Sequence, residues 1–216
     1  MGVDIESEDK RIFFNEPLEY DKAAWRDWPI QRQLGIDYIR DCFELAHQAD
    51  PKAELVLNET LLERRGAIYD ERRSMILDLV EQLRARSVPI HTIGLQSHAR
   101  PGLEEIDPEA FGGFCAALKQ MGVAVRITEL DGSCRFVHTL KLNDPMAAYI
   151  NYFHDIVRLA ARNGNLKSVT TWGIGEKYAV NEPGGHANCR SPVLLYDDNL
   201  QPRPTLKALA DAIQGR

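Results

Sequence analysis

Two carboxylates, Glu129 and Asp131, lie at the end of the apolar stretch Val123-Ala-Val-Arg-Ile-Thr128. An apolar run of this kind is typical of a strand that is covered on both faces. Acidic side chains are rarely buried unless they are paired or take part in chemistry. Because a carboxylate can act as proton donor, general base or nucleophile, this strand end is a candidate catalytic site.

Other apolar runs of the chain also end in polar or aromatic residues. The carboxyl ends of parallel strands meet at one edge of a sheet, where α/β proteins place their sites. A single residue of this kind is more often a cap or a solvated loop residue, but a repeated set favours a site. The set comprises Asn15-Glu16, Asn58-Glu59, Gln96-Ser97-His98, Glu129, Asp131, and Trp172 with Glu176.

These residue types favour the hydrolysis of a glycosidic bond. Two carboxylates that face each other across a cleft are the working parts of a glycosidase. The imidazole of His98 could hold Glu129 by a hydrogen bond, with Asp131 orienting the ring from behind. The indole of Trp172 could provide a platform for a sugar ring, although a tryptophan buried in the core is the simpler interpretation.

Apolar runs alternate with helical periodicity, which predicts an α/β fold with a parallel sheet. Strands are predicted over residues 11–15, 54–58, 90–96, 123–129 and 168–173. Helices are predicted over residues 34–49 and 71–86, and a last helix is expected after Pro204. Two further helices are predicted to begin at Asp107-Pro108 and Asp144-Pro145 and to end near Gly122 and Gly164.

Composition and charge argue against several kinds of partner. The chain has 216 residues and a net charge of −6, which disfavours nucleic-acid binding. The pairs Arg64-Arg65 and Arg72-Arg73 are predicted to lie on a solvated face rather than to bind an anion. No apolar run is long enough to span a membrane, so a soluble chain is expected.

The cysteines predict neither a dense disulfide framework nor a metal site. The four cysteines are widely spaced, without a C-x-x-C pair. Cys42 and Cys115 are expected to be small buried hydrophobes on helices, and a bridge between Cys134 and Cys189 stays open. His186 with Cys189 would give only two metal ligands. We therefore expect no metal and no cofactor.

Several motifs resemble, in order and spacing, those of glycoside hydrolase family 10. They are Asn15-Glu-Pro17, Ile93-Gly-Leu-Gln-Ser-His98, Ile127-Thr-Glu-Leu-Asp131, Trp172-Gly-Ile-Gly-Glu-Lys-Tyr178, and Pro192-Val-Leu-Leu-Tyr-Asp197 with Gln201-Pro-Arg-Pro204. The resemblance covers nearly all of the chain from about Phe14 onward. It implies a TIM barrel and the activity of a retaining endo-β-1,4-xylanase, in a family whose members are often secreted.

The resemblance also implies roles for individual residues. Glu129 corresponds to the catalytic nucleophile and Glu16 to the acid/base, in a double displacement with the two carboxyl groups about 5 to 5.5 Å apart. Asp131 would hold the His98 ring from behind without itself binding the sugar. The residues that would bind the sugar are Asn15, Asn58, Gln96, His98 and Trp172.

Only about five of the eight βα units of a TIM barrel are evident, so residues 1–216 are predicted to form a single partial catalytic domain, with residues 1–13 atypical. An incomplete barrel exposes sheet edges that favour pairing. We therefore expect a homo-oligomer or a complementing N-terminal fragment. The alternatives to a xylan hydrolase are an assembly module with impaired catalysis and a remnant that only binds carbohydrate.

Overall fold

The main sheet is built from parallel strands that follow one another in chain order. The computed structural model describes residues 29–100, 105–132, 144–175 and 194–215, with two short strands at residues 5–6 and 24–25. Those two, β1 (Ile5–Glu6) and β2 (Ala24–Trp25), pair antiparallel apart from the main sheet. The predicted strand at residues 11–15 lies outside the described residues.

The strands of the main sheet are β3 (Val56–Glu59), β4 (Thr92–Leu95), β5 (His98–Ala99), β6 (Ala124–Gly132) and β7 (Leu166–Thr171). β3 pairs with β4, β4 with β6, and β6 with β7, all in parallel. β5 continues beyond β4 along the same edge of β6. Strand order that follows chain order is the arrangement of a (β/α) barrel, since doubly wound sheets reverse their order. The predicted parallel α/β fold is therefore confirmed.

The helices connect and cover these strands. They are α1 (Pro29–Leu34), α2 (Asp37–Ala49), α3 (Ala67–Ala85), α4 (Pro108–Gln120), α5 (Pro145–Asn163) and α6 (Pro204–Ile213). The predicted caps are present, because Asp107 accepts a hydrogen bond from the Ala110 amide and Asp144 one from the Ala147 amide. No helix in the described parts of the chain is long and apolar enough to cross a membrane.

Two local predictions are wrong. The helix predicted over residues 34–49 is interrupted at Gly35, whose φ of +62° is unfavourable for a residue with a side chain. The strand predicted to end at Glu129 continues to Gly132, because its far end pairs with β5. The predicted end of α5 near Gly164 is confirmed, with a φ of −101° at this glycine; a Cβ there would lie 2.9 Å from the Ala160 carbonyl oxygen.

The arginine pairs also contradict the prediction of a solvated face, because only Arg65 is exposed while Arg64, Arg72 and Arg73 are buried. The loop from β3 to α3 needs donors for its carbonyl groups. The guanidinium of Arg73 provides them, donating at 2.8 Å to both the Leu62 and the Arg64 carbonyl oxygens. Buried charges are tolerated when they are hydrogen-bonded in this way.

A buried contact joins the same loop to α5. The hydroxyl of Tyr152 donates a 2.6 Å hydrogen bond to the carboxylate of Glu63, and both side chains are almost fully buried. The Arg64 guanidinium donates at 3.3 Å to the backbone carbonyl of His98. These contacts hold the loop beside the edge of the sheet from which His98 projects.

The core between the sheet and the helices is apolar. Cys115 lies fully buried in it on α4, and burial raises the pKa of its thiol to about 12, as suits an inert hydrophobe. Cys42 is partly buried, and Cys134 and Cys189 lie outside the described residues. The assignment of residues 1–216 to one domain, with residues 1–13 apart, stays a prediction.

Candidate active site

Glu129 projects from β6 near the carboxyl ends of the strands, and both of its carboxylate oxygens have a partner. The side-chain amide of Asn58, near the end of β3, donates to Oε1 at 2.8 Å. The ring Nε2 of His98 lies 3.2 Å from Oε2. The side chain of Glu129 is 17% exposed, so the carboxylate is held in place and still reachable. A fixed and accessible carboxylate is suited to attack on a bound substrate.

His98 lies between the two carboxylates of β6. Its Nδ1 is 2.7 Å from Asp131 Oδ1, on the side of the ring opposite Glu129. Burial, the largest single influence, lowers the pKa of His98, but the hydrogen bond and charge of Asp131 and the charge of Glu129 outweigh it. The pKa is therefore raised above its ordinary value. Only the protonated ring can donate to both carboxylates at once, since a neutral imidazole has a single N–H.

The position of His98 depends on a break in its strand. Leu95 of β4 pairs with Ile127, whereas His98 of β5 pairs with Asp131, so β6 contains one additional residue between the two pairs. Ser97, buried between β4 and β5, adopts a φ of +61°, which is uncommon for a residue with a side chain. The irregularity turns the imidazole toward the carboxylates of β6, as bulges beside active sites often do.

Trp172 follows β7 and borders the same site. Its amide donates at 3.1 Å to the Leu130 carbonyl oxygen. Its indole meets the His98 ring edge-on, with the ring centroids 6.3 Å apart. Trp172 is 51% exposed, which argues against the simpler interpretation of a core tryptophan. A half-exposed indole beside a fixed carboxylate offers a face on which a sugar ring can stack.

Two residues of the site escaped the sequence analysis. The hydroxyl of Thr128 lies 2.7 Å from Asn58 Oδ1, and Gly94 of β4 lies directly beside the same amide. Gly94 had a detectable signal, because a glycine inside a buried strand often marks a close approach of another group. Thr128 had none, since a threonine in a strand is ordinary.

The structure brings together Asn58, His98, Glu129, Asp131 and Trp172. Gln96 lies at the same edge, where its backbone amide donates to the Glu59 carbonyl oxygen at 2.9 Å. Asn15, Glu16 and Glu176 lie outside the described residues. Among the residues that are described, no group of three or more His, Cys, Asp or Glu side chains is arranged to hold a metal ion.

Comparison with known proteins shows the family to which a chain with this parallel sheet belongs. Residues 13–212 match Glycosyl hydrolase family 10, and the chain belongs to that family. It is 31% identical over 198 residues to endo-1,4-beta-xylanase 2 of Claviceps purpurea, covering 90% of this chain and 51% of that protein. It is 29% identical to an endo-1,4-beta-xylanase of Geobacillus stearothermophilus, covering 88% of this chain and 58% of that protein.

Solved structures agree with this assignment. Xylanase XynB from Paenibacillus barcinonensis, complexed with a conduramine derivative, superposes with a TM-score of 0.70 at 26% identity, covering 96% of this chain and 60% of that one. The predicted TIM-barrel type of fold is thus confirmed. The chain spans about half the length of the curated relatives it matches.

Proposed function

We propose that this chain cleaves β-1,4-xylan or xylo-oligosaccharides with retention of configuration, with Glu129 as the nucleophile. The observation that carries the proposal is that each oxygen of the Glu129 carboxylate, near the end of β6, has a partner: Asn58 on one and His98 on the other. The names of the relatives, which are endo-1,4-beta-xylanases, support the choice of substrate.

In the proposed reaction, Glu129 attacks the anomeric carbon while Glu16 gives a proton to the departing sugar oxygen. This step forms a glycosyl ester and breaks the glycosidic bond. Water then attacks the anomeric carbon while Glu16 takes one of its protons, and the bond to Glu129 breaks so that its carboxylate is released. Asn15, Asn58, Gln96 and His98 would bind the sugar at the cleavage point, with Trp172 stacked on a ring. Asp131 would keep the His98 ring in place.

The contacts of His98 fit this role for Glu129. A carboxylate must lose its negative charge as it forms the ester and regain it on hydrolysis. A donor on each oxygen fixes the direction of attack and stabilises the carboxylate as it leaves. Asp131, on the far side of the ring, keeps the imidazole oriented through both steps.

The experiment measures the release of the aryl group from an aryl β-xylobioside and of sugar from xylan. Glu129→Ala is expected to lower kcat by roughly a thousandfold or more, with azide restoring turnover as an α-glycosyl azide. Glu105→Ala, at a side chain that is 75% exposed, is the matched control and should leave the rate unchanged. Full activity in Glu129→Ala, or release of the α-anomer first, would contradict the proposal.

The role of Glu16 has its own test. Glu16→Ala should slow cleavage of xylan strongly, while a substrate with a dinitrophenol leaving group still reacts in the first step, because that group needs no proton. If Glu16→Ala slows the reaction of both substrates by the same factor relative to the unmodified chain, Glu16 is not the acid.

The expected homo-oligomer or complementing N-terminal fragment stays a prediction, and light scattering at low micromolar concentration tests it. A monomer in solution would contradict the homo-oligomer. Absence of turnover at high enzyme concentration, together with retained binding of xylo-oligosaccharides, would favour the alternatives of an impaired assembly module or a binding remnant.

A further inference from the structure

A chain of two hydrogen bonds leads from the Thr128 hydroxyl through the Asn58 amide to Glu129. The hydroxyl oxygen of Thr128 lies 3.1 Å from the Leu95 carbonyl oxygen and 2.7 Å from Asn58 Oδ1. The Asn58 Nδ2 then donates to Glu129 Oε1 at 2.8 Å. The partners of the Thr128 hydroxyl are Asn58 Oδ1 and the Leu95 carbonyl oxygen, so its effect on the Glu129 carboxylate passes through Asn58.

The direction of the Asn58 amide decides whether it helps or opposes the carboxylate. An amide has a donor end and an acceptor end of almost the same shape. With Oδ1 toward Thr128, the NH₂ group faces Glu129 and stabilises its negative charge. The reversed amide would place a carbonyl oxygen against a carboxylate oxygen. A hydroxyl that donates its single proton to Oδ1 selects the first orientation.

The amide is confined from its other side by the absence of a side chain. A Cβ at Gly94 would lie 2.4 Å from Asn58 Oδ1, which is closer than real contacts allow. The same Cβ would lie 3.0 Å from the methyl group of Thr128. Gly94 and Thr128 therefore enclose the amide between two neighbouring strands, β4 and β6.

We propose that Thr128 is a positioning residue for the nucleophile: its hydroxyl, with the space left by Gly94, fixes the Asn58 amide so that Nδ2 faces Glu129 Oε1. The inference rests on the proposed function, because it assumes that Glu129 attacks the substrate. Thr128 acts on the reaction through Asn58, and its effect can be measured in the step in which the ester forms.

The test is the rate at which Glu129 is trapped by dinitrophenyl 2-deoxy-2-fluoro-β-xylobioside. In this reaction a carboxylate oxygen bonds to the anomeric carbon, and dinitrophenolate departs with the electron pair of the broken bond. The leaving group needs no proton, so the rate reports on the nucleophile alone. Mass spectrometry of the Glu129 peptide identifies the label, and circular dichroism checks that each variant folds.

Thr128→Val keeps the shape and removes the donor, so trapping is expected to slow about fivefold to tenfold, the loss that corresponds to one neutral hydrogen bond. Thr128→Ser keeps the hydroxyl and should recover the rate to within about twofold. Thr92→Val is the matched control, because the Thr92 hydroxyl is also buried in this sheet but donates to Glu54. Its trapping rate should equal that of the unmodified chain.

Each remaining outcome is decisive. Trapping of Thr128→Val at the rate of the unmodified chain, or of Thr128→Ser as slowly as Thr128→Val, overturns the role of the hydroxyl and leaves Glu129 as nucleophile. No label on Glu129 in the unmodified chain overturns the proposed function, and this inference with it. If Thr128→Val does not fold, Gly94→Ala takes its place: it should slow trapping with the hydroxyl present, and an unchanged rate refutes the inference.

Discussion

Gly94→Ala gives the sharpest test of how tightly the candidate site is packed. The new methyl group would begin 2.4 Å from Asn58 Oδ1, and contacts under 3.0 Å are not found for real Cβ atoms. The amide must therefore withdraw by at least about 0.6 Å, the difference between these two distances. A shift of this size cannot preserve both the 2.7 Å bond from Thr128 and the 2.8 Å bond to Glu129.

The magnitude follows from those two hydrogen bonds. A neutral hydrogen bond contributes about 1 kcal/mol net, and one to a charged group about 1.5–3 kcal/mol. Replacement of glycine by alanine also raises the free energy of unfolding by about 0.5–1 kcal/mol, because alanine restricts the unfolded chain more than glycine does. We therefore expect Gly94→Ala to lower the free energy of unfolding by about 2 kcal/mol, with a longer separation of Asn58 from Glu129.

Urea unfolding measures this cost in two backgrounds. In Asn58→Ala the amide is already absent, so adding Gly94→Ala should cost at least about 1 kcal/mol less than it does alone. Gly113→Ala is the matched control: Gly113 lies on α4 with nothing within 4 Å of its Cβ position. It should stabilise the protein by about 0.5–1 kcal/mol through helix propensity. An equal cost of Gly94→Ala in both backgrounds would refute the explanation.

Two further predictions concern buried and partly buried charge. Because its pKa is raised in the folded state, His98 stabilises the fold fully below its unfolded value of about 6.5, and that stability is lost as pH rises through the folded pKa. The Tm difference between the unmodified chain and His98→Gln should therefore shrink from pH 6 to pH 9; a difference that grows would contradict this sign. Tyr152→Phe removes the donor to the buried Glu63 carboxylate and should cost about 1.5–3 kcal/mol in urea unfolding at pH 7, whereas a loss below about 0.5 kcal/mol would contradict it.

The features that local chemistry determines could be predicted from the sequence. Asp107 and Asp144 each precede a proline at the start of a helix, and each side chain caps the amide three residues later. The polar residues at the strand ends also followed from one rule, since parallel strands bring their carboxyl ends together. Asn58, His98 and Glu129 are neighbours for this reason.

The features that depend on contacts between distant segments could not be predicted. Arg72 and Arg73 have the composition of a solvated face, yet both are buried, and Arg73 donates to the carbonyl groups of the loop after β3. Thr128 and Gly94 matter because of where Asn58 lies, and that residue is on another strand. Charge and periodicity describe one segment at a time, whereas these roles belong to pairs of segments.

The unequal residue count between β6 and β4–β5 has a consequence for how this sequence can vary. Three residue steps lead from Leu95 to His98, while four lead from their partners Ile127 to Asp131. Because successive side chains of a strand point to opposite faces, losing one residue from either path would move His98 or Asp131 to the wrong face. We therefore expect an insertion or deletion in this short stretch to disrupt the site even where a substitution leaves it intact. The number of residues in the two paths positions His98 against Asp131 as much as the identity of those residues does.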